Sequence, residues 1–125
     1  MPVQPSDFLK ISKDLVGNKD EISHRGAASR AYYCAYHKTC NTIAGPMPKY
    51  NCGSHEALTI YLTSKDADSS ETIDQQTRKR LSIMLTNMKT QRHIADYQLD
   101  IAFTKNQAES VIGMTERLIS MLDPH

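Results

Sequence analysis

The sequence predicts an all-α protein, an up-and-down bundle of four long helices and one short helix. Its 125 residues are the usual length of one compact domain, so residues 1–125 are treated as a single helical domain. Hydrophobic residues make up 39% of the chain and recur at helical spacings of three and four. No stretch of useful length alternates apolar and polar residues as a half-buried strand would. Four long helices with short connections favour a bundle.

The first two helices are predicted from apolar residues at helical spacing and from the glycines that follow them. Residues 8–15, with Phe8, Ile11 and Leu15 as the apolar stripe, form the first helix. The second should run from about Asp20 to Ala44, because Gly45 and a proline follow it. The residues expected on its apolar side are Ile22, Tyr33, Tyr36, Cys40 and Ile43.

In the second half of the chain, the sequence pattern predicts one short helix followed by two long helices. The short helix should begin at residues 53–54, and segment 65–70 looks like a polar turn whose Ser69 or Ser70 caps the fourth helix. Thr104 begins a capping box that starts the last helix. The core stripe expected on the fourth helix is Ile73, Thr77, Leu81, Met84, Leu85, Met88, Ala95 and Leu99.

Composition and charge narrow the class of protein. Fifteen Lys plus Arg against 14 Asp plus Glu give a net charge of +1, so bulk charge does not require nucleic acid, although a local basic patch could still bind it. No run of 18 apolar residues exists, and residues 1–7 lack the regions of a signal peptide. The odd set of three cysteines favours a reducing compartment. We therefore expect a cytoplasmic protein without a membrane partner.

A polar stripe lies beside the apolar side of the second helix. At 100° per residue Arg30, Cys34, His37 and Asn41 fall within about 60° of one another, and the small residues 26–27 would let another helix approach closely. Hydrogen bonding to a neighbouring helix is one explanation. The functional one is an acid–base and phosphate site, since imidazole moves protons near neutral pH and guanidinium binds phosphate. Together, without a metal, they suit transfer of an RNA 2′-hydroxyl onto its own phosphodiester.

The spacing of Arg30 and His37 predicts a two-fold dimer. Seven helical residues separate the two Cα atoms by about 10 Å. Because side chains lean toward the helix N-terminus, Arg30 leans away from His37. Antiparallel pairing of two copies of the helix would place Arg30 of one chain near His37 of the other.

The residues around this stripe resemble a known family. Segment 29–37, Ser-Arg-Ala-Tyr-Tyr-Cys-Ala-Tyr-His, resembles the signature helix of the HEPN superfamily, whose motif is Arg, four to six residues, then His. Segment 92–97, Arg-His-Ile-Ala-Asp-Tyr, resembles a pattern common in small bacterial and archaeal HEPN proteins. The order of helices and the Gly-Ser-His-Glu at 53–56 also agree, so the similarity spans about residues 6–122.

The resemblance implies a helical-bundle dimer with a composite groove in which Arg30 and His37 are catalytic. Many members are metal-independent endoribonucleases of toxin–antitoxin, antiviral defence or CRISPR-linked systems, so neither a cofactor nor a metal is expected. Tyr33, Cys34 and Asn41 are predicted to line the same groove and bind substrate. The expected partners are a second copy of the chain, RNA or nucleotide, and an antitoxin or nucleotidyltransferase.

Two other functions remain open. One is a non-catalytic HEPN module that binds nucleotide or RNA or pairs with a nucleotidyltransferase, and the other is a purely structural helical dimer. Active members often carry a polar residue directly after the Arg, where this chain has Ala31. Members modified by a partner nucleotidyltransferase carry Tyr two residues after the His, where this chain has Thr39. The first departure favours a module that does not catalyse.

Three further groups are assigned structural roles. Arg92 and Asp96, one turn apart on the fourth helix, are predicted to form a structural ion pair, with a supporting role near the groove as the other explanation. The basic segment 78–80 is predicted to be a solvated face, with RNA backbone binding as the alternative. The Cys-x-x-His elements at 34–37 and 52–55 are spaced unlike a zinc finger, so no metal site is predicted.

Overall fold

In the computed structural model, which describes residues 2–45 and 53–123, the chain folds into six α-helices, so the predicted all-α bundle is confirmed. They are α1 (Pro5–Val16), α2 (Glu21–Thr42), α3 (Ser54–Leu62), α4 (Lys65–Ser70), α5 (Gln75–Tyr97) and α6 (Lys105–Leu122). Within those two ranges there is no β-strand, and none of the helices combines the length and apolar character needed to cross a bilayer. The predicted loop at 46–52, Cys52 and the proline stop at 124 lie outside the described residues.

Helix α2 is the centre of the bundle, because α1, α5 and α6 all pack against it and α3 packs against α5. Small side chains on several sides of α2 allow these helices to approach. The core residues that α2 contributes are Ala27, Ala28, Ala31, Tyr32 and Ala35. Large apolar residues from the neighbouring helices close the core over them, chiefly Leu58, Leu81, Leu85, Met88, Val111 and Leu118.

The small residues at 26–27 accommodate the protein's own first helix. Ser12 donates a hydrogen bond from its Oγ to the carbonyl of Ala27 at 2.5 Å. A Cβ added at Gly26 would lie 3.2 Å from Cδ1 of Leu15. The α1 face that meets α2 is therefore centred on buried Ser12, and the prediction that Ile11 belongs to the apolar stripe is wrong, since Ile11 is 49% exposed.

Two other residues expected in the core are on the surface. Ile22 in the first turn of α2 and Leu99 are each 70% exposed. Leu99 lies outside the core because α5 ends at Tyr97, two residues before it. The buried side chain at this end of α5 is Arg25 of α2, whose guanidinium donates to backbone carbonyls in the last turn of α5.

The boundary before α5 also differs from the prediction. Segment 65–70 is a short helix, capped by the Ser64 side chain, which accepts from the amide of Ala67. Asp74, and neither Ser69 nor Ser70, caps α5 by accepting from the amide of Thr77 at 2.8 Å. The capping box at Thr104 is confirmed at the start of α6.

Candidate functional site

A cluster of aromatic and basic side chains covers one side of α2 where α1, α3 and α5 meet it. Tyrosines and a histidine three or four positions apart on α2 project to this side, and each neighbouring helix adds a ring or a guanidinium. We call this cluster the aromatic face. Its members are Phe8, Arg30, Tyr32, Tyr33, Tyr36, His37, His55 and Arg92.

The predicted catalytic residues Arg30 and His37 contact the same two rings. The guanidinium carbon of Arg30 lies 5.1 Å from the centroid of the Tyr33 ring and 5.9 Å from that of Phe8. The imidazole of His37 stacks on Phe8, with centroids 5.5 Å apart and planes 19° apart, and lies 6.3 Å from Tyr33. Phe8 and Tyr33 therefore connect the two side chains within one chain, although the helix separates their Cα atoms.

His55, at the start of α3, is the second imidazole of the aromatic face. Its Nδ1 lies 2.7 Å from the hydroxyl oxygen of Tyr32, and its ring centroid lies 4.2 Å from that of Tyr36. Burial, followed by the nearby cations Arg92 and Lys89 and then by His37, lowers the pKa of His55 below the usual value. The ring is consequently neutral at physiological pH.

We assign the proton of the neutral His55 ring from its hydrogen bond to Tyr32, a contact that either tautomer of the ring could form. Tyr32 is buried, and burial raises the pKa of its hydroxyl, which stays protonated. A buried hydroxyl needs an acceptor, and Nδ1 of His55 is within reach. Donation from Tyr32 to Nδ1 leaves the imidazole proton on Nε2. His55 then presents a neutral N–H donor.

Arg92 lies over the aromatic face with few polar contacts. The structure brings it beside Asp96, with Nη1 3.6 Å from Oδ2, but that carboxylate oxygen also accepts from Oγ of Ser29 at 3.0 Å. The Nε of Arg92 is buried without a hydrogen-bond partner, and its side chain is only 12% exposed. Its guanidinium carbon lies within cation–π distance, 5.6 to 5.9 Å, of the rings of Tyr32, Tyr33 and Tyr97.

The predicted substrate-binding residues occupy different surroundings. Tyr33 is at the centre of the aromatic face. Asn41 is exposed and lines a depression of about 250 Å³ together with His37 and Phe8. Cys34 is only 1% exposed, burial raises the pKa of its thiol, and it borders a neighbouring depression between α1, α2 and α6 that Asn41 also lines. The structure thus brings Tyr33 and Asn41 to His37 and places Cys34 apart from the rings.

Both positions that depart from the family pattern point away from the aromatic face. Ala31 is fully buried, and its carbonyl accepts a hydrogen bond from Thr115 on α6. Thr39 is also fully buried, and its hydroxyl donates to the carbonyl of Ala35 within α2. In this fold, neither side chain is available to a ligand on the aromatic face.

Five members of the aromatic face lie outside the predicted site: Phe8, Tyr32, Tyr36, His55 and Arg92. Phe8 fits the apolar stripe of α1, so periodicity alone assigns it to the core. The sequence singles out His55 only as part of segment 53–56 and of the Cys-x-x-His element 52–55, and it predicts for Arg92 an ion pair with Asp96 or a supporting role near the groove. In the described parts of the chain, no group of three or more His, Cys, Asp or Glu side chains is arranged to hold a metal ion.

Comparison with known proteins found no relative of this chain. No protein-family model matches the chain, and neither a curated protein nor a solved structure gave a match. The indications of function are therefore the side chains of the aromatic face and the resemblance of segments 29–37 and 92–97 to HEPN proteins.

Proposed function

We propose that this protein is a metal-independent endoribonuclease of the HEPN toxin or defence type, which cleaves RNA by attack of a 2′-hydroxyl. One observation carries the proposal: Arg30 and His37 contact the same two aromatic rings, Phe8 and Tyr33. A guanidinium for a phosphate and an imidazole for a proton thus lie beside rings on which an unpaired base can stack. Sequence-tolerant binding of single-stranded RNA uses this combination of charge and aromatic surface.

The reaction needs one proton removed and one proton supplied. The 2′-oxygen attacks the adjacent phosphorus as the bond from phosphorus to the 5′-oxygen breaks, giving a 2′,3′-cyclic phosphate and a 5′-hydroxyl. His37 acts as the general acid or base for these transfers. Arg30 binds the non-bridging oxygens and stabilises the charge that develops on them. Asn41, beside His37, orients the imidazole or a phosphate oxygen.

The proposal includes a two-fold dimer and a regulatory partner. In the dimer, Arg30 of one copy faces His37 of the other across antiparallel copies of α2, which overcomes their separation of about 10 Å along one helix. An antitoxin or nucleotidyltransferase would control the activity in the cytoplasm. Cys34 and Cys40, the two cysteines within the described ranges, are free thiols, in keeping with a reducing compartment.

Cleavage of mixed RNA by the purified protein in EDTA tests the catalytic proposal. The native chain should cleave, whereas folded Arg30→Ala and His37→Ala variants should not. If the site is composite, mixing the two inactive variants restores part of the activity, because one of the two sites in each mixed dimer keeps both residues. Cleavage by His37→Ala at the native rate would refute the role of His37.

The second candidate is a non-catalytic module that binds RNA or nucleotide. The stacking of Phe8 on His37 favours it, because the ring of Phe8 covers one face of the imidazole. This function predicts that the intact dimer binds RNA without cleaving it, and that Phe8→Ala weakens binding through loss of a stacking surface. Metal-free cleavage by the native chain would exclude this candidate.

A further inference from the structure

Three arginines of this chain are largely buried, and their hydrogen bonding differs sharply. Arg25 donates to a glutamate and to four backbone carbonyls. Arg78 donates to an aspartate and to two backbone carbonyls, so the predicted solvated face at 78–80 is wrong for Arg78, which is buried. Arg92 instead has a buried Nε without a partner and a carboxylate oxygen of Asp96 no closer than 3.6 Å. Since buried charged donors are normally satisfied, Arg92 has unused capacity to bind an anion.

Arg92 and His55 share two rings of the aromatic face. The guanidinium carbon lies 5.6 Å from the Tyr32 centroid and 5.7 Å from the Tyr33 centroid. The imidazole of His55 lies 5.4 Å and 5.9 Å from the same two centroids. Tyr33 also contacts Arg30 and His37. The aromatic face therefore holds two arginine–histidine pairs, and the ring of Tyr33 is common to both.

The chemistry of the second pair suits phosphate. Arg92 supplies a positive charge and an Nε–H without a partner, and neutral His55 presents its Nε2–H in the tautomer that accepts from Tyr32 at Nδ1. Lys89, three residues before Arg92 on α5, adds a second positive charge and lines a groove of about 610 Å³ between α3 and α5, to which Glu56 also contributes. These donors and charges come from α3 and α5, so the pair is built by the packing of the bundle.

We propose that Arg92 and His55 form a second phosphate-binding subsite, which holds the RNA phosphate next to the one bound by Arg30 and His37. The identity of the ligand as RNA rests on the function proposed above. Arg92 and the Nε2–H of His55 bind non-bridging oxygens, and the nucleoside between the two phosphates lies against Tyr33. His55 is then a substrate-binding donor, and it takes no part in proton transfer.

Binding of a 2′-O-methyl oligonucleotide, which cannot be cleaved, tests the subsite. Affinity is measured at several salt concentrations for the native chain and for Arg92→Gln. The variant should bind about tenfold more weakly, and the slope of log affinity against log salt should fall in magnitude by about 0.7, the value for one phosphate contact in a single strand. Arg117→Gln is the matched control, because it removes one exposed positive charge from α6 and should change neither quantity.

A pair of substitutions at His55 separates its donor role from its charge. His55→Ala should weaken binding several-fold, whereas His55→Gln, whose amide N–H can replace Nε2–H, should retain most of the affinity. Circular dichroism checks that each variant is folded. Native-like affinity and salt slope in Arg92→Gln would overturn the subsite while the RNA function stands. Failure of the native chain to bind the oligonucleotide would overturn both.

Discussion

The hydroxyl of Tyr32 lies 2.7 Å from Nδ1 of His55, and this contact links the core of α2 to the first turn of α3. Tyr32 is buried, so the hydrogen bond fixes the orientation of the His55 ring from inside the bundle. Burial and then the charge of Arg92 lower the pKa of His55, and donation from the hydroxyl to Nδ1 favours the same neutral ring. The aromatic face is thus held in place by a core residue.

Tyr32→Phe should destabilise the protein by about 1 kcal/mol, because it removes one partly buried hydrogen bond. It should also raise the pKa of His55, because the neutral ring loses the donor that favours it. Urea denaturation measures the free energy of unfolding, and an NMR titration of the imidazole protons measures the pKa. Tyr97→Phe is the control, since Tyr97 is exposed. An unchanged His55 titration in Tyr32→Phe would show that Tyr32 does not donate to Nδ1.

The lowered pKa of His55 predicts a loss of stability at mildly acidic pH. Below the usual value of 6.5 the unfolded chain binds a proton at His55 that the folded chain does not yet bind. The free energy of unfolding therefore falls as pH decreases from 6.5 toward the pKa of the folded state.

Urea denaturation at pH values of about 7.5 and about 5.5 measures this loss, and His55→Gln should reduce it. His93→Gln, at an exposed position of α5, should leave it unchanged. The carboxyls with lowered pKa values act at more acidic pH, because their usual values are 3.8 for Asp20 and Asp74 and 4.5 for Glu21 and Glu71. An equal loss in native protein and His55→Gln would contradict the prediction.

The two arginines at the α2–α5 junction should differ in what they contribute to stability. Arg25→Gln should cost about 3 kcal/mol, because it leaves the buried carbonyl of Ala95 and three partly buried carbonyls without their charged donor. Arg92→Gln should cost less than about 1 kcal/mol, since its contact with Asp96 is long and its Nε is unpartnered. Urea denaturation measures the free energy of unfolding of both variants. A large loss in Arg92→Gln would favour the structural pair over a ligand-binding role.

Two glycines should respond oppositely to alanine. Gly113 lies inside α6, and a Cβ there would meet nothing within 4 Å, so Gly113→Ala should stabilise the protein by about 1 kcal/mol through helix propensity. A Cβ at Gly45 would lie 2.5 Å from Cβ of Ser70 and 2.7 Å from the hydroxyl of Tyr61. Gly45→Ala should therefore destabilise by about 1–3 kcal/mol. Thermal unfolding measures whether each variant is more or less stable than the native protein. Stabilisation by Gly45→Ala would contradict the close packing just after α2.

Local signals in the sequence determined the fold class and most helix ends. Gly17 follows α1, and Thr104 starts α6 with its capping box, because helix termini are decided by hydrogen bonds between residues three or four positions apart. The spacing of Arg30 and His37 is likewise local, because both residues lie on α2.

Packing between helices decided the boundary before α5 and the contacts of the aromatic face. Glu71 accepts from the amides of Ala44 and Gly45 and from the hydroxyl of Tyr61, and this long-range anchor holds the segment between α4 and α5 outside either helix. The contact of Phe8 with His37 depends on how α1 packs against α2, and that of Tyr32 with His55 on how α3 packs against α5. Periodicity along one helix carries no information about such contacts. The sequence therefore determined every described helix except α4, and the spacing of Arg30 and His37, while the tertiary structure alone decided which rings surround those two side chains.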